Sequence, residues 1–399
     1  MAPAARVILK RGRDGPVRGG NPWIFSQAIE RVEPPAIAPG AAVEVYDASR
    51  TLLGVGHYHP ATTIAVRMLA WGAAPDLREI LARRLSNALE MRRRMIASDT
   101  DCYRLVNGDG DGLSGIVVDR YGDVAVLQLL SAGADAMRDE ITAELTRLIN
   151  PRALLERSVG AVRRQEGLTD RVALLAGEPV AETIVSENGI RLAIDFEHGQ
   201  KTGSFLDQRE NRLRLRALAA TSGVKPARML DACCYSGGFA LAALAGGAAR
   251  VVAVDTSARA LSWAARNLEL NGHSAGAIEF VHGEAGKYMA ETEQRFDLIV
   301  LDPPPLARSR GDVERAGRMY VELNALAIRA LARGGRMMTF SCSVHFRGED
   351  FLRAVRIAQA KAGRNLRMLA RLGPGSDHPV LLGHVEGEYL TGFLLADLE

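Results

Sequence analysis

Lysine, cysteine and long apolar runs are scarce in this 399-residue sequence. Four cysteines are too few for a disulfide-built scaffold, and none stands in a zinc-type C-x-x-C. The eight histidines do not cluster as metal ligands do; His57 and His59, two apart on an expected strand, are read as surface or packing positions, and no metal site is expected. No apolar run reaches the roughly 18 residues of a membrane helix. The first residues, Met1-Ala-Pro-Ala-Ala-Arg6, lack the apolar segment of a secretory signal, so a soluble cytoplasmic protein is the expectation. No G-x-x-x-x-G-K-[ST] loop is present, which excludes a P-loop nucleotidase. Of the 50 basic residues only Lys10, Lys201, Lys225, Lys287 and Lys361 are lysine; the rest are arginine. That bias is either a compositional preference or a stock of forked donors for phosphates and stacked bases, and location has to decide between them.

What is present is ordinary globular material, 47% apolar and 24% charged, enough for two or three domains. The stretch to about Ala70 reads as β-rich, with Val43–Tyr46 and Ile64–Met68 as strands between Gly and Pro turns. Its first 31 residues carry Arg6, Lys10, Arg11, Arg13, Arg18 and Arg31 against Asp14 and Glu30, with Trp23 and Phe25 close by. Basic groups beside aromatics suit looped or single-stranded RNA, phosphates by charge and bases by stacking; the aromatics taken alone suit a small core equally well. A helix is expected from Asp76 to about Ser98, bearing Arg83, Arg84, Arg92, Arg93 and Arg94. The turn Asn107-Gly-Asp-Gly-Asp-Gly112 resembles a calcium loop in composition only, because no glutamate stands at its twelfth position. A strand over Val124–Leu130, a helix over about Ala134–Leu148 and a hairpin over Ile184–Ile194 turning at Asn188-Gly189 follow.

From about Gly199 strands and helices alternate as in a parallel α/β sheet. The strands are Ala227–Asp231, Arg250–Asp255, Ala277–Val281, Phe296–Asp302 and Gly335–Ser341, with a closing antiparallel pair near Val380 and over Tyr389–Leu398. Ligands of such sheets bind beyond the carboxyl ends of the strands. The first strand ends in Asp231-Ala-Cys-Cys-Tyr-Ser-Gly-Gly-Phe239. Its Gly237 and Gly238 let the backbone approach a ligand, and Cys233 and Cys234 are read as packing residues within the loop. This loop is not G-x-G-x-x-G, so a dehydrogenase reading fails. The second strand ends in Asp255, followed by Thr256; a carboxylate there accepts both hydroxyls of a ribose. A nucleoside ligand without a diphosphate, such as S-adenosylmethionine, is implied. The fourth strand ends in Asp302-Pro-Pro-Pro305 and the fifth in Ser341-Cys342-Ser343, which puts a carboxylate and a thiol on neighbouring strand ends. Those are the two groups that cytosine carbon-5 methylation needs, a nucleophile for carbon 6 and an acid at nitrogen 3.

At this point the chain resembles, essentially end to end, the RlmI-type, PUA-domain-containing bacterial ribosomal RNA large-subunit cytosine-5 methyltransferases. The resemblance is carried by His198–Arg212 (HGQKTGSFLDQRENR), Asp231–Phe239, Phe296–Pro304 and Thr339–Ser343, and more loosely by the N-terminal stretch and Asn107–Gly122. It implies an α/β protein with three domains: a PUA-like RNA-binding β-barrel at 1–72, a small α+β middle domain at 73–198, and a Rossmann-like methyltransferase domain at 199–399. It also implies S-adenosylmethionine as methyl donor and Cys342 as nucleophile, with Asp302 beside it. The expected cofactor contacts are Asp231, Cys233, Tyr235, Ser236, Gly237, Gly238, Phe239, Asp255, Thr256, Glu284, Ala285 and Asp302, joined by Lys201, Thr202, Phe205 and Asp207. Arg209 and Arg212 join Arg6, Lys10, Arg11, Arg13 and Trp23 as expected RNA contacts. Large-subunit ribosomal RNA is the implied partner, no membrane is involved, and a homodimer is compatible with the resemblance. Two departures stand out: Pro305 replaces a lysine common after Asp-Pro-Pro, and Glu284 stands where an aspartate is common. The Asp-Pro-Pro loop holds no second cysteine, so the base that removes the carbon-5 proton has no candidate. Methylation of a guanine nitrogen is the nearest rival, since it also uses an Asp-Pro-Pro loop but needs no thiol. A methyltransferase-like RNA-binding module without catalysis is the third reading.

Overall fold

Short alternating apolar segments separated by glycine turns make the N-terminal stretch a sheet. In the computed structural model, which describes residues 5–73, 76–220, 228–307 and 309–398, its strands are β1 (Arg6–Leu9), β2 (Trp23–Phe25), β3 (Ile29–Glu33), β4 (Ala42–Tyr46), β5 (Leu52–Tyr58) and β6 (Ile64–Trp71), with the single turn of helix α1 (Gly15–Arg18) after β1. They order as β2-β6-β5-β4-β1-β3, with β1 and β4 parallel and the other neighbours antiparallel. Val7, Leu9, Ile24, Val43, Val45 and Val66 bury the apolar face. His57 on β5 is buried against Gly133, where a Cβ would fall 2.1 Å from its Nδ1. Burial pulls its pKa down to about 4, so His57 is a neutral packing residue.

The chain divides into two compact units. The first contains Met1–Val185, Ile194–Leu206 and Ser376–Gly387; the second contains Ser186–Ala193, Asp207–Gly375 and Glu388–Glu399. The rest of the first unit is built on α2 (Leu77–Met95), capped by the Asp76 carboxylate on the Arg78 amide, and on a sheet of β7 (Cys102–Asn107), β8 (Ile116–Tyr121), β9 (Val124–Leu129), β10 (Ala153–Ser158) and β11 (Arg171–Gly177). The helix expected over Ala134–Leu148 is two, α3 (Ala132–Ala136) and α4 (Arg138–Ile149), because Met137 (φ −98, ψ 16) leaves helical geometry. Helix α5 (Ala161–Gln165) precedes β11. Arg92 of α2 is fully buried; it donates to both carboxylate oxygens of Asp111 at 2.5 and 2.8 Å and to the Asp377 carbonyl at 2.7 Å. The Gly/Asp-rich turn therefore supplies an internal counter-ion, and no metal-holding cluster exists among the described residues. Nor is any helix among them long and apolar enough to cross a membrane.

The hairpin β12 (Glu182–Glu187) and β13 (Ile190–Asp195) turns at Asn188 (φ 51) and Gly189 (φ 76), both left-handed as an Asn-Gly turn requires. The second unit then runs α6 (Arg209–Ala220), β14 (Arg228–Ala232), α7 (Gly238–Ala245), β15 (Arg250–Asp255), α8 (Ala258–Leu270), β16 (Ile278–His282), α9 (Ala285–Glu291), β17 (Phe296–Leu301), α10 (Val313–Ala330), β18 (Leu331–Ser341), α11 (Glu349–Ala362), β19 (Leu366–Leu372) and β20 (Thr391–Asp397). Ala227, the expected start of β14, lies outside the described residues. Near-continuous apolar strands such as Val251–Val254 are buried on both faces. The sheet order is β16-β15-β14-β17-β18-β20-β19, parallel from β16 to β18 and antiparallel beyond. From β14 the chain winds outward to β16 and then returns to β17 on the other side, which leaves a switch point between β14 and β17. The antiparallel partners of β20 are β18 and β19, not a strand near Val380. Gly373-Pro-Gly375 ends β19, and the segment after it joins the first unit, where Asp377 accepts the Arg104 amide and Asn107 donates to the Pro379 carbonyl.

Candidate active site

Register places the acidic groups of the second unit. Asp231 pairs with Ala253 on one side and Val300 on the other, inside the sheet. Asp255 and Asp302 each stand one residue past the level of Ala232, on either side of it. Asp231 is fully buried; its Oδ2 accepts the Ala240 amide at 2.9 Å, and its Oδ1 has no hydrogen-bond partner among the described residues. Burial first, and then the charges of Asp302 and Asp255, push its pKa up to about 7.

The loop after β14 is wound through three left-handed residues, Cys233 (φ 69), Tyr235 (φ 49) and Gly237 (φ 82). Cys233 and Cys234 both donate their amides to the Val254 carbonyl, at 2.9 and 3.0 Å, and Asn267 donates to the Ser236 carbonyl at 3.1 Å. Asp255 finishes the loop: Oδ2 accepts the Tyr235 amide and Oδ1 the Ser257 amide, each at 2.8 Å. One lone pair per oxygen remains, enough for two ribose hydroxyls. A nucleoside fits this cradle, with the unpartnered Oδ1 of Asp231 as a further acceptor. Gly238 serves a different purpose from the one its sequence suggested, because a Cβ there would fall 2.9 Å from Cδ of Arg212. Thr256 and Glu284 are exposed at the ends of β15 and β16, and Ala285 and Phe239 are buried.

On the other side of the switch point, Asp302 accepts a hydrogen bond from Gln208 Nε2 at 3.0 Å, and Gln208 is held in turn by Asn211 at 2.7 Å. Cys342 follows β18 and places its Sγ 3.7 Å from the Pro303 carbonyl. None of the four cysteines forms a disulfide. Burial pushes the Cys233 thiol up to about 12 and Cys234 higher still, so both stay protonated, as packing residues do. Beside Cys342, Ser341 and Ser343 hydrogen-bond the hydroxyl of Tyr320 on α10, each at 2.9 Å. Asn324, one helical turn further on, accepts from Thr339 at 2.7 Å, so α10 locks β18 in register. Tyr320 carries no signal in the sequence, and Gln208 stands within His198–Arg212 without being singled out there.

Several expected contacts fall elsewhere. Lys201, Thr202 and Phe205 belong to the first unit. Thr202 is fully buried there, its hydroxyl 2.6 Å from Asp119 Oδ2 and 3.0 Å from the Tyr121 hydroxyl, which makes it an internal link rather than a cofactor contact. Lys201 lies over the Phe205 ring at 4.6 Å. Asp207 is buried and accepts from the Tyr389 hydroxyl at 2.8 Å. Arg212 pairs with both oxygens of Glu187 at 2.6 Å and is 6% exposed, and Arg209 is 3% exposed; neither is a surface RNA contact. Trp23 is half-buried, edge-on to His384 at 4.3 Å with Arg67 over its ring, which is packing. In the basic N-terminal run, Arg6 lies near Glu44 and Lys10 donates to the Gln27 carbonyl. Arg11 and Arg13 are exposed without an ion-pair partner among the described residues.

An open parallel sheet with a nucleoside cradle at its switch point, and no diphosphate loop there, defines a Rossmann-like S-adenosylmethionine-dependent methyltransferase. The family model described as S-adenosylmethionine-dependent methyltransferase matches residues 161–377, and one described as PUA-like domain matches residues 7–71. Proteins named ribosomal RNA large subunit methyltransferase I, from Shigella boydii and Escherichia coli, are 37% identical over 98% of this chain and 98% of their own. The chain belongs to the ribosomal RNA large subunit methyltransferase I family. Among solved structures, a SAM-dependent methyltransferase of Streptococcus mutans (TM-score 0.82) and a methyltransferase complexed with SAH (TM-score 0.83) share the fold. Each is 21% identical and covers 98% of this chain and 99% of its own.

Proposed function

We propose that this methyltransferase forms 5-methylcytidine in large-subunit ribosomal RNA, with Cys342 as nucleophile and Asp302 as the acid at nitrogen 3. The supporting observation is the meeting of the Cys342 thiol and the Asp302-Pro303 turn, 3.7 Å from Sγ to the Pro303 carbonyl. The relatives' name supports the substrate. Asp255 and the Cys233–Gly238 backbone would hold the adenosine side of the donor. In this reading the domains keep the bounds 1–72, 73–198 and 199–399, with exposed Arg11 and Arg13 contributing phosphate contacts.

Carbon 5 of cytosine is too weak a nucleophile to attack a methyl group unaided. The Cys342 thiolate adds to carbon 6, forming a C–S bond and moving an electron pair toward nitrogen 3, where protonated Asp302 donates its proton. Carbon 5 becomes the enamine carbon. Bound S-adenosylmethionine supplies an electrophilic methyl, with neutral S-adenosylhomocysteine as leaving group. Loss of the carbon-5 proton to a base then expels the thiolate, and return of the nitrogen-3 proton to Asp302 restores the neutral ring.

The test is Cys342→Ala. Methyl transfer should vanish while S-adenosylmethionine binding persists, and the wild type should form a covalent adduct with RNA carrying 5-azacytidine. Full activity in Cys342→Ala, or nucleoside maps showing a methylated guanine nitrogen instead, overturns the mechanism.

A further inference from the structure

Between the loop of the thiol and the loop of the carboxylate lies a hydrogen-bond circuit that the reaction as described does not use. Ser343 is fully buried, and its Oγ accepts the amides of Leu306 and Ala307, at 3.0 and 3.1 Å, just past the Asp302-Pro-Pro-Pro305 turn. A hydroxyl has two acceptor positions and one proton. With both positions filled, the Ser343 proton has one partner left, the Tyr320 oxygen at 2.9 Å. The Tyr320 oxygen also accepts from Ser341 Oγ, at 2.9 Å. Ser341 Oγ is also within donating distance of the Phe346 carbonyl, at 2.8 Å, and accepts the Ser343 amide at 3.4 Å. The Tyr320 hydroxyl is therefore where the serines on both sides of Cys342 meet, and Ser341 carries the network on to the Phe346 carbonyl.

The circuit brackets Cys342 on both sides. Ser341 and Ser343 are its chain neighbours, and Phe346, which closes the turn by donating its amide to the Ser343 carbonyl, stacks on the Tyr320 ring at 5.2 Å and 9°. A Cβ at Gly317 would fall 3.2 Å from the Phe346 ring, so the helix face is cut to fit this aromatic. Tyr320 is fully buried, and its ring also meets the Phe351 ring, T-shaped at 5.2 Å. Burial raises its pKa, which keeps the phenol protonated.

We propose that Tyr320 is a positioning residue for methyl transfer: through Ser343 it fixes the loop of Cys342 to the loop of Asp302 and so sets the geometry in which carbon 6 and nitrogen 3 are engaged together. This rests on the reading of Cys342 as nucleophile. Tyr320→Phe keeps the ring and its stacking but breaks the circuit at its centre, leaving the Ser343 proton without an acceptor. A displacement of the order of an ångström between reacting groups costs about 100-fold in rate.

The experiment uses the full chain with S-adenosylmethionine and a ribosomal RNA fragment, assayed well below the melting temperature of every variant. Tyr320→Phe should lower kcat about 10- to 100-fold and slow capture of 5-azacytidine RNA in parallel, with KM for RNA and S-adenosylmethionine affinity within about twofold of wild type. Ser343→Ala, which removes the link to the Asp302 loop from the other end, should show the same split. A purely structural role would lower the melting temperature and leave kcat of the folded enzyme alone. If both variants capture RNA and turn over at the wild-type rate, the proposal is overturned while the nucleophile reading stands. If the wild type itself forms no adduct and Cys342→Ala stays active, both fall.

Discussion

Replacing Asp231 by asparagine should change how the protein's stability depends on pH. Asp231 is fully buried, uses one carboxylate oxygen for the Ala240 amide, and has no partner among the described residues on the other. Its pKa stands at about 7 against a usual 3.8. The folded form therefore holds the proton more tightly than the unfolded chain does. The associated stability is fully present below about pH 4 and is lost as the pH rises through 7. Roughly three pH units at about 1.4 kcal/mol each give a total near 4 kcal/mol, of which about 3 kcal/mol falls between pH 5 and pH 8. Asparagine is nearly isosteric, keeps an acceptor for the Ala240 amide and never ionises. Urea unfolding of the ligand-free protein at pH 5, 6, 7 and 8 should show the wild type losing about 3 kcal/mol relative to Asp231→Asn across that range. Curves that stay parallel to within half a kilocalorie would mean that Asp231 is already ionised in the fold, and the burial argument would fail.

Two further outcomes follow from the reassigned arginines. Glu187→Gln or Arg212→Ala opens a buried pair and should cost about 3–5 kcal/mol in denaturant unfolding, with RNA affinity of the folded protein unchanged; a stable Arg212→Ala that binds RNA weakly would restore Arg212 to the RNA surface. Arg11→Ala combined with Arg13→Ala should leave stability unaltered and reduce the slope of log affinity against log salt by about 1.4, if each arginine holds one phosphate of a single strand.

The parts of the site that sequence makes legible are those fixed by local alternation. A strand, a short loop and a helix repeat from β14 onward, so the placing of Asp255, Asp302 and Cys342 at strand ends, where such sheets hold their ligands, is readable from the sequence. What was not legible depends on partners far apart in the chain. By pattern Arg212 is one more helix arginine, yet Glu187, 25 residues earlier, accepts from two of its three guanidinium nitrogens. Gly238 looked like room for a ligand, yet the space is filled by that same Arg212. Tyr320 sits on an amphipathic helix at a position any large apolar residue could hold, and only its two serine partners, 21 and 23 residues later, distinguish it. The apolar stretch at Val380 suggested a strand because its period is ambiguous over so few residues. The carbonyls just before it, those of Asp377 and Pro379, are engaged by Arg92 and Asn107 of the same unit but far earlier in the chain, which no local pattern encodes.

The same long-range pairing accounts for much of the arginine excess. Arg92 meets Asp111, Arg104 meets Asp119 at 2.6 and 3.1 Å, Arg138 meets Glu156, and Arg163, 2% exposed, donates to the Leu129 carbonyl. Each of these sites asks for a group that stays charged when buried and offers several donors in one plane. Guanidinium does both, whereas an ammonium is a single point that loses its proton more readily when desolvated. Lysine is therefore the wrong residue at these positions, whatever the composition of the genome. Because each such arginine that meets a carboxylate cancels its charge internally, the net charge of +3 says little about the surface. The positive charge available to a polyanion lies in exposed side chains such as Arg11, Arg13, Arg83, Arg93 and Arg214, which lack an ion-pair partner among the described residues. An RNA footprint should follow those side chains and not the density of arginine along the sequence.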